Sequence, residues 1–184
     1  MGQPLERRKY LPAEDTYLLK DALRSFTGDA CLEIGFGSGA VLASVAGRFR
    51  LAVGTDVVSL EDARSARLPS LGLVIADRAQ CFRDGVFDLV FFNPPYLPAW
   101  PIEDLAVDGG PTGIEVPVSF LGDALRVLTK EGTIVALMSD EGDAESFLSH
   151  CSDLGLEVDS TIRKKLFYET LSVLILRRNR DAEI

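Results

Sequence analysis

The sequence is poor in the features that mark several common protein classes. Its three cysteines, Cys31, Cys81 and Cys151, stand far apart and never form a Cys-x-x-Cys pair. Neither a disulfide framework nor a zinc site is therefore indicated, and we expect buried, apolar cysteines and no metal. No apolar run approaches the roughly 20 residues that span a bilayer, and the polar start lacks the apolar core of a signal peptide. We therefore expect a cytoplasmic protein.

Positive charge is scarce as well. The sequence contains 19 Lys and Arg residues and 28 Asp and Glu residues, which gives a net charge of -9 and a pI of about 4.6. A surface of this sign repels a phosphate backbone unless basic residues are strongly segregated. The short basic runs at residues 7–9 and 163–165 are more typical of a solvated surface. Direct binding of nucleic acid is therefore not expected.

Length and hydrophobic pattern together predict the fold. The 184 residues, 47% of them hydrophobic, fit one globular domain. Apolar segments alternate with stretches of helical periodicity, and these segments are too continuous for a sheet with one exposed face. We therefore predict an α/β fold with a single Rossmann-like, doubly wound sheet of about seven mostly parallel strands, a terminal antiparallel hairpin and helices on both faces. Residues 1–28 would form an N-terminal segment and first helix, and residues 29–184 the catalytic core.

The predicted elements follow from apolar spacing and from turn residues. A first helix is expected from an N-cap at Asp15 or Thr16 to the residues before Gly28. The remaining predicted helices span residues 41–49, 59–68, 117–128 and 143–154, and the strands span 30–34, 51–53, 73–76, 86–92, 133–138, 156–162 and 170–176. Residues 93–115 interrupt this alternation, because they hold five prolines and three glycines without a periodic pattern. Loops of this length are usually functional or disordered.

A glycine-rich turn, Glu33-Ile-Gly35-Phe-Gly37-Ser-Gly39, follows the first predicted strand. Glycines at a strand-to-helix turn let a ligand approach the backbone, and the helix N-terminus then faces that ligand. The turn also satisfies the relaxed dinucleotide fingerprint, with Asp56 about 20 residues further on. A dinucleotide site and a tight turn without a ligand therefore both remain alternatives.

Carboxylates stand at the ends of three successive strands. They are Glu33, Asp56 and Asp77, and in a doubly wound sheet these ends line one crevice. Asp56 is suited to accept hydrogen bonds from both ribose hydroxyls, and Asp77 from an adenine amino group. Each aspartate alone is as well explained by a helix N-cap or a surface loop, whereas the set indicates an adenosine site. The acidic crevice also suits a positive sulfonium better than a pyrophosphate, which favours S-adenosyl-L-methionine.

The most specific motif is Asn93-Pro94-Pro95-Tyr96, at the end of the fourth predicted strand. A conjugated amine or amide nitrogen attacks poorly until acceptors hold its N–H groups and direct the lone pair. The Asn93 side-chain oxygen and the Pro94 carbonyl can be these acceptors, the prolines stiffen the loop, and Tyr96 can stack on the planar group. Positioning then supplies most of the catalysis. An ordinary turn is the alternative.

This motif resembles the signature of methyltransferases that act on adenine amines and glutamine amides. The whole chain resembles the archaeal and eukaryotic branch of the HemK-like release-factor glutamine methyltransferases, on the further matches at residues 10–16, 109–113 followed by Glu115-Val116, and 169–173. The resemblance implies that the cofactor is bound by Thr16, Glu33, Gly35, Gly37, Asp56, Asp77, Arg78 and Asn93. It also implies that the substrate is bound by Asn93, Pro94, Pro95 and Tyr96, of which Asn93, Pro94 and Tyr96 are catalytic.

The sequence departs from the family pattern at three places. Phe36 replaces a residue that is usually small, Val57-Val58 follows Asp56 where a polar residue and a proline are common, and Arg78 replaces an apolar residue. A backbone contact between Arg78 and adenine is compatible with this change. We also expect no helical N-terminal domain of the kind that bacterial relatives use to bind release factors.

The resemblance implies methylation of the glutamine in the Gly-Gly-Gln motif of a class 1 translation termination factor. Adenine methylation on DNA or RNA, protein lysine methylation and a catalytically silent adaptor are the alternatives. Residues 93–115 contain four acids and no lysine or arginine, so this loop would repel a phosphate backbone. An acidic loop would suit a lysine substrate, but the hydrogen-bond acceptors of the Asn93 motif suit a planar amide better. The intact Asp56 and the intact Asn93 motif are not expected in a catalytically silent adaptor.

The resemblance also implies a partner, since relatives need a small zinc-binding activator subunit that adds a strand to the sheet. The usual strand order leaves the strand from Leu73 to Ala76 at the sheet edge, and this segment carries no charge or proline. Such an edge invites pairing with another chain. We therefore expect a heterodimer. The alternative is an edge that is covered by the protein's own chain, for example by the helix expected at residues 59–68.

Overall fold

The computed structural model describes residues 13–57 and 71–179. The helices are α1 Glu14–Ala22, α2 Ala40–Ala46, α3 Glu115–Val127 and α4 Ala144–Asp153, and a 3-10 turn, Leu23–Ser25, follows α1. The strands are β1 Gly28–Ile34, β2 Phe49–Asp56, β3 Leu71–Ile75, β4 Phe87–Phe92, β5 Leu97–Pro98, β6 Asp108–Gly110, β7 Leu128–Ser139, β8 Leu156–Lys165 and β9 Thr170–Arg178. The expected helix at residues 59–68, Val58 and the segment before residue 13 lie outside the described residues.

Seven of the strands form one sheet, in the order β3-β2-β1-β4-β7-β9-β8. The first five of these are parallel to one another, while β9 runs antiparallel to both β7 and β8. The predicted doubly wound sheet and the terminal hairpin are therefore confirmed. The edge position predicted for the third strand is confirmed as well, because β3 pairs only with β2 within the described residues.

Each face of the sheet has its own apolar core. On one face, Leu121 of α3 and Phe147 of α4 belong to a cluster with Leu32 and Phe92 of the sheet. The other face carries α1 and α2, which pack on the alternate residues of the same strands. Burial of one such side chain contributes roughly 1.5–3 kcal/mol. The parallel strands are thus apolar on both faces because both faces are covered.

The start of α1 differs from the prediction. The helix begins at Glu14 with Ala13 at the N-cap, which makes no side-chain capping bond. Asp15 and Thr16 therefore lie inside the first turn, and each is only 5% exposed. The predicted N-cap at Asp15 or Thr16 is therefore wrong. An acid inside the first turn complements the helix dipole much as a capping acid does, so the sequence pattern does not distinguish the two positions.

Residues 93–115 contain more regular structure than expected. β5 and β6 form a second, two-stranded parallel sheet with the pairs Leu97↔Asp108 and Pro98↔Gly110. Strands this short carry no alternating pattern from which they could be predicted. The small sheet folds the loop back on itself beside the end of β4.

The cysteine prediction holds for two of the three residues. Cys31 and Cys151 are buried, but Cys81 is exposed in the turn between β3 and β4. The expectation of a buried Cys81 is therefore wrong, because its turn faces solvent and buries the neighbouring Ala79 instead. Within residues 13–57 and 71–179, no helix is long and apolar enough to cross a membrane.

Candidate functional site

The glycine-rich turn between β1 and α2 has a backbone that favours glycine. Gly35, Gly37 and Gly39 all have positive φ angles, +75°, +51° and +72°. Asp56, at the end of β2, fixes this turn, because its Oδ2 accepts a hydrogen bond from the Gly37 N–H over 2.9 Å. Asp56 therefore shapes the turn as well as lining the crevice beside it.

Two adjoining cavities lie at the carboxyl ends of the strands. The first measures about 330 Å³ and the second about 220 Å³. They share four lining residues, Gly35, Asn93, Pro95 and Ala106. Cavities at this edge of a doubly wound sheet are the usual ligand sites of such folds.

The first cavity contains most of the residues that the sequence singled out. Of the predicted site residues, it is lined by Thr16, Glu33, Gly35, Gly37, Asn93, Pro94, Pro95 and Tyr96. The second cavity is lined by Asp56, Asp77 and Arg78 together with the shared Gly35, Asn93 and Pro95. All predicted site residues therefore border one continuous crevice, although their individual roles remain predictions.

Glu33 is the most deeply buried carboxyl group of the crevice. It is 3% exposed, and its Oε2 accepts a hydrogen bond from the Leu42 N–H, near the start of α2, over 2.9 Å. Burial and the negative charge of Asp56 raise the pKa of Glu33 well above its ordinary value. A positive ligand group in the first cavity would favour the charged form of this carboxyl.

Asn93 has a polarised environment at the junction of the two cavities. Its Nδ2 donates a hydrogen bond to Oδ2 of Asp15 over 2.7 Å. Its Oδ1 is buried and has no hydrogen-bond partner among the described residues. An unsatisfied buried acceptor costs roughly 1–3 kcal/mol, so this oxygen is one that a ligand N–H would satisfy.

The glycines at residues 109–113 buttress the Asn-Pro-Pro-Tyr segment. A Cβ on Gly109 would lie 2.8 Å from the Pro95 carbonyl oxygen and 2.6 Å from that of Gly113. No side chain fits at that distance, so the segment lies directly against the backbone of the motif. This packing accounts for the glycines at residues 109–113, where the sequence resembles the family pattern.

Tyr96 is half-buried in the wall of the first cavity. Burial raises the pKa of its hydroxyl, and the negative charges of Glu169, Asp15 and Glu141 raise it further. The phenol therefore stays neutral at physiological pH and cannot act as a phenolate base.

The three departures from the family pattern have distinct structural outcomes. Phe36 is 3% exposed and packs over Gly54, where a Cβ would lie 2.9 Å from the Phe36 Cβ. Val57 lines the second cavity and is exposed. Arg78 has a left-handed backbone with φ +50°, and its guanidinium pairs with Asp123 at 2.9 Å and Asp77 at 3.3 Å. Its side chain thus joins the turn after β3 to α3.

Five polar residues of the first cavity were not predicted as site residues. They are Asp15, Ser38, Glu141, Tyr168 and Glu169. Asp15 and Glu169 lie in two segments that resemble the family, residues 10–16 and 169–173. Their position in these segments could therefore have identified them as site residues. Glu141 follows β7 in a turn that no motif marks.

The turn of the β8–β9 hairpin forms one rim of the first cavity. Phe167 and Tyr168 at its tip are 89% and 87% exposed, and their rings meet edge-to-face at 4.7 Å. Behind the tip, Glu169 accepts a hydrogen bond from the buried Ser139 hydroxyl over 2.5 Å. The hairpin therefore holds two aromatic side chains in solvent beside the cavity mouth.

The chain is similar in sequence to known methyltransferases. The chain is 33% identical to mouse Methyltransferase HEMK2 over 197 residues, which cover 95% of this chain and 92% of the mouse protein. It is 25% identical to the eRF1 methyltransferase catalytic subunit mtq2 of Schizosaccharomyces pombe, over 92% of this chain and 89% of that protein. No protein-family model matches the chain.

Among solved structures, the chain is similar to the Mtq2–Trm112 complex of E. cuniculi, which is responsible for the methylation of the eRF1 translation termination factor. The TM-score is 0.75 at 26% identity, and the match covers 92% of this chain and 98% of that chain. Together with the near full-length match to the mouse protein, this shows that the chain is a methyltransferase and belongs to the HemK-like release-factor glutamine methyltransferase family.

Proposed function

We propose that the protein uses S-adenosyl-L-methionine to methylate the side-chain amide nitrogen of the glutamine in the Gly-Gly-Gln motif of a class 1 translation termination factor. The observation that carries this proposal is the buried Oδ1 of Asn93 at the junction of two cavities, which has no hydrogen-bond partner in the described part of the chain. One cavity is available for the cofactor's nucleoside and the other for the substrate side chain. Asn93 borders both.

The residues of the crevice fit the cofactor in charge and in shape. The glycine turn presents backbone that a ligand can approach closely, and a Cβ on Gly35 would lie 3.4 Å from Phe120, which also lines the second cavity. Glu33 and Asp56 supply negative charge beside a group that would be positive. Asp56 and Asp77 would hold the ribose and the adenine, Thr16, Glu33 and Gly37 the methionine end, and Arg78 the adenine through its backbone.

When bound, S-adenosyl-L-methionine supplies a methyl group activated by the positive charge on sulfur. The protein supplies orientation. Oδ1 of Asn93 and the Pro94 carbonyl would accept the two N–H groups of the substrate amide, which turns the nitrogen lone pair toward the methyl donor. Tyr96 and the prolines would hold the planar amide in the cavity.

No strong base is needed for this reaction. An amide nitrogen becomes acidic as it gains a methyl group, so it can lose its proton to water. The raised pKa of Tyr96 is consistent with a packing role rather than a basic one. Acceptors directed at the transition state are therefore the main catalytic device.

A protein substrate is supported by the charge around the site. Asp15, Glu141 and Glu169 line the first cavity, and no lysine or arginine of residues 13–57 and 71–179 does. A phosphate backbone at this mouth would be repelled. The relatives named above include an eRF1 methyltransferase subunit, which also favours a termination factor.

The proposal extends to an activator subunit at the edge of β3. The similar E. cuniculi structure is a complex of Mtq2 with Trm112. In the present chain, β3 contains no charged residue, and Ile75 at its end is 48% exposed. A partner strand paired to β3 would cover this residue and the edge of β3 that has no strand partner among residues 13–57 and 71–179, whether or not the partner binds zinc.

The proposal is tested by incubating the protein, with and without the activator, with labelled cofactor and one of three substrates. The substrates are the organism's class 1 termination factor, its total RNA and its DNA. We expect label on the termination factor alone, and less label when the activator is omitted. Label on nucleic acid alone would exclude the proposed substrate.

A further inference from the structure

Asp15 lies directly behind the Asn93 side chain. Asp15 is 5% exposed, and each of its carboxylate oxygens accepts a hydrogen bond from a different donor. Oδ2 accepts from Asn93 Nδ2 over 2.7 Å, and Oδ1 accepts from the Thr16 backbone N–H over 2.6 Å. The group therefore sits between α1 and the end of β4 and bonds to both.

This contact decides which way the Asn93 amide points. An ionised carboxylate only accepts hydrogen bonds, whereas an amide carries a donor at one end and an acceptor at the other. Asp15 can therefore face only the NH2 end of Asn93, and Oδ1 must take the opposite side. If the amide were flipped, two oxygens would meet at hydrogen-bond distance, which is repulsive.

We propose that Asp15 is a positioning residue that locks the Asn93 amide with its oxygen directed at the substrate. This inference rests on the proposed function, since it assumes that Asn93 Oδ1 accepts an N–H of the methylated amide. Asp15 acts through Asn93 and need not touch the reacting nitrogen. The first turn of α1 is thus a part of the catalytic arrangement.

A carboxylate is needed because both of its oxygens are used. An asparagine at position 15 has a single oxygen, so it could serve either the Thr16 N–H or Asn93 Nδ2 but not both. If that oxygen accepted from the Thr16 N–H, the NH2 group of the new side chain would face Asn93 Nδ2, which is also a donor. If it accepted from Asn93 Nδ2, the hydrogen bond from the Thr16 N–H would be lost. Asp15→Asn conserves the volume of the side chain and removes this pairing.

The matched control is Glu14→Gln. Glu14 is the neighbouring carboxylate in the same first turn, but its partner is Lys164, and it does not line either cavity. Both variants remove one negative charge from the start of α1. A difference between them therefore does not arise from the helix dipole alone, and the Asn93→Ala background isolates the contact with Asn93.

The kinetic test measures methylation of the termination factor by the wild type, Asp15→Asn, Glu14→Gln, Asn93→Ala and the Asp15→Asn/Asn93→Ala double variant. We expect Asp15→Asn to lower kcat by about 10- to 100-fold, as for a lost hydrogen bond to a charged group. The dissociation constant for the cofactor should stay near the wild-type value, whereas the melting temperature should fall by a few degrees, because one buried N–H donor is left unpaired. Glu14→Gln should resemble the wild type.

In the Asn93→Ala background, Asp15→Asn should change kcat by less than about threefold, because no amide remains to be oriented. An equal loss in both backgrounds would overturn the proposal. So would a loss of cofactor affinity that matches the loss of kcat, since Asp15 would then act on the cofactor directly. If the wild type does not methylate the termination factor, the proposed function fails, and the same variants are compared on whichever substrate takes up label.

A second readout does not depend on activity. Asn93 and Asn179 are the two asparagines of the sequence, so selective 15N-asparagine labelling yields two side-chain NH2 signals, and Asn93→Ala identifies the one from Asn93. We expect one Asn93 amide proton to be shifted downfield and to exchange slowly in the wild type, and to lose both properties in Asp15→Ala. Unchanged Asn93 signals in Asp15→Ala would refute the contact itself.

Discussion

Gly109 lies so close to the Pro95 carbonyl oxygen that a Cβ at this position would sit 2.8 Å from it. Gly109→Ala would therefore displace the Asn-Pro-Pro-Tyr segment, because the two atoms nearest to this Cβ, the carbonyl oxygens of Gly113 and Pro95, both belong to the backbone. We expect a loss of more than tenfold in kcat and a destabilisation of about 1–3 kcal/mol, as for other overpacked sites. Steady-state kinetics and thermal unfolding measure the two effects.

Gly122→Ala is the control for this substitution. Gly122 lies in α3 and is exposed, and no atom of the described residues outside the helix backbone lies within 4 Å of the position of a Cβ. The same change should raise stability by up to about 1 kcal/mol through helix propensity and leave kcat unchanged. Equal kinetics for the two variants would show that Gly109 does not support the motif.

Asn93→Ala removes the acceptor that the proposed function requires. Its loss should lower kcat by about 10² to 10³, by analogy with the removal of one oxyanion-hole donor. The fold should persist, because the change removes a polar side chain and little core volume. Near-normal turnover with an unchanged melting temperature would contradict the role of Asn93, and Asn179→Ala controls for an asparagine outside the cavities.

Glu33 should make the stability of the protein depend on pH. Burial, and then the charge of Asp56, raise its folded pKa above the ordinary value of 4.5, so the folded state holds this proton more tightly than the unfolded state. The stability is therefore present below about pH 4.5 and is lost as the pH rises through the folded pKa. Glu33→Gln removes this loss and can still accept from the Leu42 N–H.

We expect Glu33→Gln to gain melting temperature over the wild type as the pH rises from 4.5 toward 8. Calorimetric titration at pH 7.5 should show the opposite sign for ligand binding, that is, a weaker affinity of Glu33→Gln for S-adenosyl-L-methionine. Parallel melting curves for the two proteins across this range would contradict the pKa assignment. An unchanged affinity would remove Glu33 from the set of cofactor contacts.

Ile75→Lys tests the proposed activator interface on β3. A lysine at this exposed end of the edge strand would meet the partner strand, so we expect loss of the activator in a pull-down from coexpressing cells. Val74 is less suitable, because it packs against the core beneath the sheet. Ile162→Lys is the matched control, because Ile162 is 39% exposed on β8 at the opposite edge of the same sheet. Retention of the partner by Ile75→Lys would exclude the β3 interface.

The sequence predicted the sheet well, because strands buried on both faces leave continuous apolar runs and helices leave one apolar face. It also predicted which residues border the crevice, since parallel strands bring Glu33, Asp56 and Asn93 to the same edge. It did not predict the contact between Asp15 and Asn93. These residues are 78 positions apart, and an acid inside the first helical turn leaves the same pattern as a capping acid.

Two further features lay beyond the reach of the sequence for related reasons. β5 and β6 are too short to show any periodicity, so the small sheet beside the motif was not predicted. Glu141 and Tyr168 come from turns, where no spacing rule links a side chain to a cavity. Both kinds of residue acquire their position from tertiary contacts alone.

Tandem mass spectrometry of the termination factor, after incubation with the wild-type protein, the activator and S-adenosyl-L-methionine, identifies the methylated atom. We expect a single methyl group on the side-chain amide nitrogen of the glutamine in the Gly-Gly-Gln motif, and none with Asn93→Ala. A methyl group on a lysine, or an unmodified glutamine in a preparation that methylates RNA or DNA, would contradict the proposed function.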